Sequence, residues 1–248
     1  TVKDFLRNIS LDKNNSPYIT DLWVGKPENI SSYSETFCKY VMKQLKSFSL
    51  DFKDLIKLTI YILENFEEAR LFWQDKLNYI MVDEAQDCNG EEWSIIEMLS
   101  VIYQNLFIVG DPDQCIYEWR GAKPEYYVNF KADKLIILDE NYRSTPNILN
   151  VANSIIVHNK MRIEKNLTTN LTKGKIVLHY HGKDEKDESD WIAKQIKNLI
   201  DAGATPKDFA ILYRASYLSR SIEQALVKND LQYTIWGGIR FFERKEIK

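Results

Sequence analysis

Two short apolar runs, residues 79–82 and 106–109, are each followed at once by acids, in the phrases Asp83-Glu84-Ala85-Gln86-Asp87 and Gly110-Asp111-Pro112-Asp113-Gln114. Runs this short and this uniformly apolar predict strands buried on both faces, as in a parallel sheet. Both then deliver acids at a strand's carboxyl end, where an open α/β sheet binds its ligand. A ligand suited to acids in that place is Mg²⁺ bound to phosphate. A helix from about residue 90 to 100 separates the runs, and two strand–helix units in series are the pattern of a parallel sheet.

Upstream, residues 1–48 are mixed and mostly polar, with a helix predicted from Ser34 to Phe48 by Phe37, Tyr40, Val41 and Leu45 at helical spacing. From Asp51 a second helix carries Phe52, Leu55, Ile56, Ile60 and Leu63 over a broad face, which predicts burial under neighbouring elements. Downstream, Ile136-Ile137-Leu138 restarts the alternation as a strand. Ser144-Thr145-Pro146 then places a capping hydroxyl before a proline at the first helical position. Strands are predicted at 176–180, 209–213 and 232–236. An acidic linker spans 183–188, and two helices follow, one around Trp191, Ile192 and Ile196 and one around Leu218, Ile222 and Leu226. The expected organisation is a helical piece over 1–49, one α/β domain over 50–131 and a second over 132–248.

Composition changes this picture little. A hydrophobic content of 44% suffices for ordinary cores in 248 residues, and no apolar run is long enough to span a membrane. Three cysteines, Cys38, Cys88 and Cys115, offer neither a paired framework nor zinc-ligand spacing and suit a reducing cytoplasm. A net charge of -3 shows no global basic face, so any nucleic-acid contact would be a local groove. Without an initiator Met, the chain is expected to be cut from something longer.

The chemistry concentrates at the strand ends. Adjacent side chains on an extended segment diverge, so Asp83 can face a metal while Glu84 faces an attacking water, the division of labour that phosphoanhydride hydrolysis needs. Acids at strand ends also cap helices or lie in solvent, and that reading stays open. Gln114 can accept from water and donate to a phosphate oxygen at once, which suits a sensor of the terminal phosphate. Tyr117, Trp119 and Arg120 could stack on unpaired bases and hold their backbone, the alternative for Trp119 being a core position. Arg143 could stabilise charge on a transferring phosphoryl group, with Tyr142 stacking on a nucleobase, or it could make a surface salt bridge. Arg214 stands at the carboxyl end of another predicted strand, where a ligand could pass. His179 and His181 lack a third ligand and read as surface residues.

Taken together, Asp83-Glu84-Ala85-Gln86-Asp87, the stretch Val109-Gly110-Asp111-Pro112-Asp113-Gln114-Cys115-Ile116-Tyr117-Glu118-Trp119-Arg120-Gly121-Ala122 and Glu140-Asn141-Tyr142-Arg143-Ser144, in that order, resemble the central motifs of the UvrD/Rep/PcrA DNA helicases. Leu50-Asp51-Phe52-Lys53-Asp54-Leu55 and the tail from Gly237-Gly238 to Ile247 are similar to family segments as well. The resemblance implies an incomplete pair of RecA-like parallel-sheet domains, with residues 1–49 the remnant of a helical insertion. It implies an ATP- and Mg²⁺-dependent translocase moving 3′-to-5′ on single-stranded DNA and opening duplex junctions, in repair or replication. Asp83 would hold Mg²⁺, Glu84 would activate water, Gln114 would couple phosphate to DNA, and Arg143 would act as the arginine finger. Tyr142 would stack on adenine, and Tyr117, Trp119, Arg120 and Arg214 would contact single-stranded DNA. Cys88, Cys115 and Glu118 stand where family members often carry Thr, Ser and Arg.

No Gly-x-x-x-x-Gly-Lys-Ser/Thr phosphate loop occurs, since the pairs Gly25-Lys26, Gly174-Lys175 and Gly182-Lys183 lack both the upstream glycine and the hydroxyl. The isolated chain is therefore expected to be inactive, and loss of a central strand would expose apolar edges that favour self-association. Two other readings are a truncated module that binds DNA or a protein without catalysis, and part of a helicase-nuclease.

Overall fold

The computed structural model describes residues 2–15, 17–25 and 33–236. The Gly237-Gly238 tail phrase lies outside the described residues. Two compact units make up the chain, residues 1–174 and 175–248.

In the first unit, helix α1 (Val2–Asn15), a π-helical turn (Ile19–Trp23) and helix α2 (Glu35–Ser47) enclose a small core of Ile9, Tyr18, Ile19, Leu22, Phe37 and Val41. Ser34 starts α2 as predicted, its hydroxyl accepting from the Phe37 amide at 3.2 Å. Helix α3 (Phe52–Asn65) opens on a reciprocal cap, Asp51 accepting from the Asp54 amide and Asp54 from the Asp51 amide. The broad apolar face of α3 is covered only in part: Leu63 is buried, whereas Phe52 is 89% exposed and Leu55 and Ile62 are also exposed. Periodicity showed a wide stripe but could not show how much of it finds a neighbour. Helix α4 (Glu67–Lys76) follows after Phe66, which breaks the helical path with φ −120° and ψ 91°.

Strands β1 (Ile80–Val82) and β2 (Leu106–Ile108) pair in parallel, Ile80 opposite Leu106 and Val82 opposite Ile108. Helix α5 (Gly90–Ser100) connects them, capped by Asn89 and Glu92, and buries Trp93 against the rings of Tyr126 and Phe130. Lys57 pairs with Glu91 at 2.7 Å to tie α3 to α5. The strands are not buried on both faces as the apolar runs implied. Ile80, Val82, Leu106 and Ile108 are half-buried, while Met81 and Phe107, pointing the other way, are 80% and 58% exposed. Helix α6 (Pro124–Val128) packs at the strand ends, and helix α7 (Pro146–Ile156) begins at the predicted proline. Thr145 takes the cap position of α7 without a side-chain capping bond, so the expected hydroxyl cap is absent.

In the second unit, helix α8 (Glu185–Asp201) packs on helix α9 (Ser219–Lys228) around Ala193, Ala225 and Leu226. Most of the predicted acidic linker is the first turn of α8. Asp184 caps it, and Glu185, Asp187 and Glu188 sit where the helix dipole favours negative charge. Tyr180 stacks on Trp191 with ring centroids 4.5 Å apart.

The predicted strands at 136–138, 176–180, 209–213 and 232–236 join no ladder among the described residues. Leu138, Ile176 and Leu212 are among their exposed residues. An apolar run becomes a strand only when a neighbour offers its backbone donors and acceptors. Here β1 and β2 are the paired strands described, and Glu140 with Thr168 forms an isolated parallel bridge.

Candidate functional site

Register brings the two acidic phrases side by side. The Val109 amide donates to the Val82 carbonyl at 2.8 Å and the Ala85 amide returns to the Val109 carbonyl at 3.0 Å, so the chain leaves both strands at one edge. Glu84 takes a left-handed conformation, φ 51° and ψ 39°, which turns the chain into the short 3-10 turn Ala85–Asp87. A non-glycine residue held there costs on the order of 1 kcal/mol and is sustained only by what surrounds it. Asp83 and Glu84 are both exposed, and an Asp83 oxygen accepts from the Glu84 amide at 2.9 Å.

Beneath them lies Gln86, 1% exposed. Its amide nitrogen donates to a Glu84 carboxylate oxygen at 2.7 Å, and its carbonyl oxygen accepts from the Asp111 amide at 2.9 Å. Gly110 leaves room for that side chain: a Cβ at this position would stand 2.5 Å from the Gln86 carbonyl oxygen. The Tyr127 hydroxyl donates to the Gly110 carbonyl at 2.9 Å from α6.

Asp111 and Asp113 are not open to a cation. Asp111 accepts from the Gln114 side-chain amide at 2.7 Å and from Lys165, and Asp113 meets Lys165 at 3.1 Å and Arg162 at 3.3 Å. Burial pushes the Asp111 carboxyl up, but the Lys165 ammonium and the Gln114 amide outweigh it and hold the group below its ordinary value. Asp83 has no such cationic partner among the described residues and could hold Mg²⁺. One carboxylate with phosphate oxygens and water is a set that this ion accepts. Asp87 is different: burial and the nearby Glu84 charge push its carboxyl up, and one of its oxygens is buried without a partner.

Tyr117, Trp119 and Arg120 come together on a 3-10 turn, Glu118–Arg120, that ends at Gly121 in a left-handed conformation with φ 97°. The Arg120 guanidinium lies over both rings, 4.9 Å from the Tyr117 centroid and 4.7 Å from that of Trp119. Trp119 is 65% exposed, so it is no core aromatic. The Lys123 amide donates to the Cys88 carbonyl at 3.0 Å and fastens this loop to the Asp83 phrase. Burial pushes the Cys88 thiol up to about 11, with Glu92 and Asp87 adding to it, which disfavours the thiolate.

Tyr142 and Arg143 sit on the turn before α7, where the Asn141 side chain accepts from the Arg143 and Ser144 amides. Both are exposed. The Tyr142 hydroxyl donates to Glu140 at 2.6 Å, and the Arg143 guanidinium has no partner among the described residues. Arg214 is exposed in the second unit. No group of three metal-ligating side chains occurs among the described residues, and His179 and His181 are exposed.

The model of the UvrD/REP helicase N-terminal domain matches residues 5–134, and that of the UvrD-like helicase C-terminal domain matches residues 136–248. The chain belongs to the UvrD/REP helicase family. Its small parallel sheet with surrounding helices fits an incomplete RecA-like fold of that family. Relatives include the ATP-dependent DNA helicase PcrA of Bacillus subtilis, 42% identical over 220 residues that cover 87% of this chain and 30% of the relative. PcrA of Leuconostoc citreum is 40% identical over 219 residues, 86% of this chain and 29% of the relative. PcrA of Staphylococcus aureus is 34% identical over the whole of this chain and 37% of its own length. The chain thus spans about a third of the curated UvrD/REP relatives it matches. Among the described residues, no helix is long and apolar enough to cross a membrane.

Gln86, Tyr127, Arg162 and Lys165 were not foreseen as site residues. Gln86 stood inside a phrase already singled out, and its mixed donor and acceptor character was the signal. Lys165 lies 54 residues from Asp111, and no local pattern announces such a tie.

Proposed function

We propose that this chain is part of an ATP-dependent DNA helicase that moves 3′-to-5′ along single-stranded DNA and opens duplex junctions, in repair or replication. The observation that carries the reading is the adjacency of Glu84 and the Gln114 loop at one sheet edge, within a chain matched over residues 5–134 and 136–248 by the two helicase domain models. Asp83 would hold Mg²⁺, which when bound would supply charge neutralisation on the transferring phosphate. Glu84 orients and deprotonates the attacking water through its exposed carboxylate, and Gln114 senses the terminal phosphate from the neighbouring loop. Arg143, with a free guanidinium, meets charge developing on that phosphate, and Tyr142 stacks on adenine. The division into a helical piece over 1–49 and motor parts over 50–131 and 132–248 belongs to the same proposal.

Arg214, in the other unit, is a separate contact to single-stranded DNA, while Tyr117, Trp119 and Arg120 form the stacking platform. Because these residues make a local surface of their own, the chain should bind single-stranded oligonucleotides even though it lacks a phosphate loop and should not hydrolyse ATP. Titration with oligothymidylate followed by Trp fluorescence is expected to show binding that weakens with salt. Trp119→Ala should weaken it by about 1–3 kcal/mol, the value of one base stack. Binding that is indifferent to Trp119→Ala would remove the platform from the account. The exposed Met81 and Phe107 face of the sheet supports concentration-dependent self-association of the isolated chain.

A further inference from the structure

The buried Gln86 side chain touches both halves of the proposed machinery, yet neither the water nor the phosphate would reach it. Its orientation is dictated by its surroundings. On one side stands the Glu84 carboxylate, which only accepts, and on the other the Asp111 amide, which only donates. With the amide flipped, acceptor would face acceptor and donor would face donor, so the nitrogen must point to Glu84 and the oxygen to Asp111. No other side chain of this length offers one donor and one acceptor in that arrangement. Glutamate would set carboxylate against carboxylate, and leucine would leave the Asp111 amide without its acceptor.

The bonds continue beyond Gln86. Asp111 accepts from the Gln114 side-chain amide at 2.7 Å and from the Asp113 amide at 3.1 Å. One connected path therefore runs from Glu84 through Gln86 and Asp111 to Gln114. Gln86 uses one Glu84 oxygen, and the other has no partner among the described residues, so it is free to accept from water. The space left by Gly110 is filled by this side chain, since a Cβ there would stand 2.5 Å from the Gln86 carbonyl oxygen.

We propose that Gln86 is a positioning residue that sets the Glu84 carboxylate and the Gln114 loop in one fixed relation, so that the water-activating group and the phosphate sensor move as a unit. The proposal rests on the ATPase reading above. A change of Gln114 on sensing phosphate would then shift Asp111 and, through Gln86, the rotamer of Glu84.

Two measurements test it. In this chain, amide hydrogen exchange should find the Asp111 amide protected. Gln86→Leu should speed its exchange at least about tenfold, while the Val109 and Ala85 ladder amides keep their protection and report an intact sheet. In the full-length protein, Gln86→Leu and Gln86→Glu should each lower kcat for ATP hydrolysis about ten- to a hundredfold and leave the KM for ATP within about twofold. If Gln86→Leu loses the ladder protection, Gln86→Glu, which keeps the side-chain volume, carries the test. An Asp111 amide that exchanges freely in the unsubstituted chain, or kcat unchanged in both variants of an active enzyme, would overturn the positioning role alone. A full-length unsubstituted protein without ATPase would overturn the functional reading, and the proposal with it.

Discussion

Replacing Asp54 by alanine is expected to remove about 3–5 kcal/mol of stability from the N-terminal helices, because it takes the fully buried partner from a buried ammonium and leaves it only the half-buried Asp51. Lys13 and Asp54 are both fully buried and in contact, and Lys13 also reaches Asp51 at 2.7 Å and Gln44 at 3.0 Å. The Tyr18 hydroxyl donates to Asp54 at 2.6 Å and the Gln44 amide at 2.7 Å, so every group in the cluster is satisfied. Asp54→Ala removes the fully buried counter-charge, two acceptor oxygens and half of the reciprocal cap of α3 together. The double variant Lys13→Met with Asp54→Leu should cost less than the two single changes added, since the two fully buried charges leave together and Asp51, which loses its Lys13 partner, is only half-buried. Urea unfolding followed by helical circular dichroism measures both. A loss below about 1 kcal/mol for Asp54→Ala would show a pair no better than one in solvent.

The same cluster sets an acid limit. Burial works to raise the Asp51 carboxyl, but the Lys13 ammonium and the Asp54 amide outweigh it and hold the group below its ordinary value. A carboxyl held low in the folded state contributes stability that is present above its unfolded value, near pH 4, and lost as pH falls through the lower folded value. Unfolding of the N-terminal helices should therefore set in below about pH 4, and Asp51→Asn should flatten that acid limb.

Glu84→Gln is expected to lower ATP turnover by the full-length protein about 10²- to 10⁴-fold, the range for loss of a general base. The substitution keeps shape, and its side-chain oxygen still accepts from Gln86, so folding and the KM for ATP should change little. Asp83→Asn should instead raise the Mg²⁺ concentration needed for half-maximal turnover. A Glu84→Gln enzyme with near-normal turnover would assign water activation to another group.

The parallel pair β1 and β2 and the acids at their ends were legible because two short apolar runs, each followed by acids and separated by one helix, match the strand–helix–strand pattern of a parallel sheet. Burial of their second face was not legible, since an apolar residue such as Met81 or Phe107 carries no information about whether a neighbour covers it. The same limit explains the downstream runs, where Leu138 and Leu212 look like strand residues but meet no ladder. Helix starts were read well where a side chain caps the amides, as at Ser34. At Thr145, proline geometry alone begins the helix. Within the site, Asp83, Glu84, Gln114 and the Trp119 platform could be singled out from their phrases. The groups that hold them in place, Gln86 by its two-sided bonding and Lys165 by a contact distant in sequence, become visible only when the chain is folded.

ATP hydrolysis by the full-length protein as single-stranded oligonucleotide is added tests the account most directly. The predicted result is a rate that rises with DNA until the strand saturates and that collapses in Glu84→Gln. A rate indifferent to DNA, or one that survives Glu84→Gln, would contradict it.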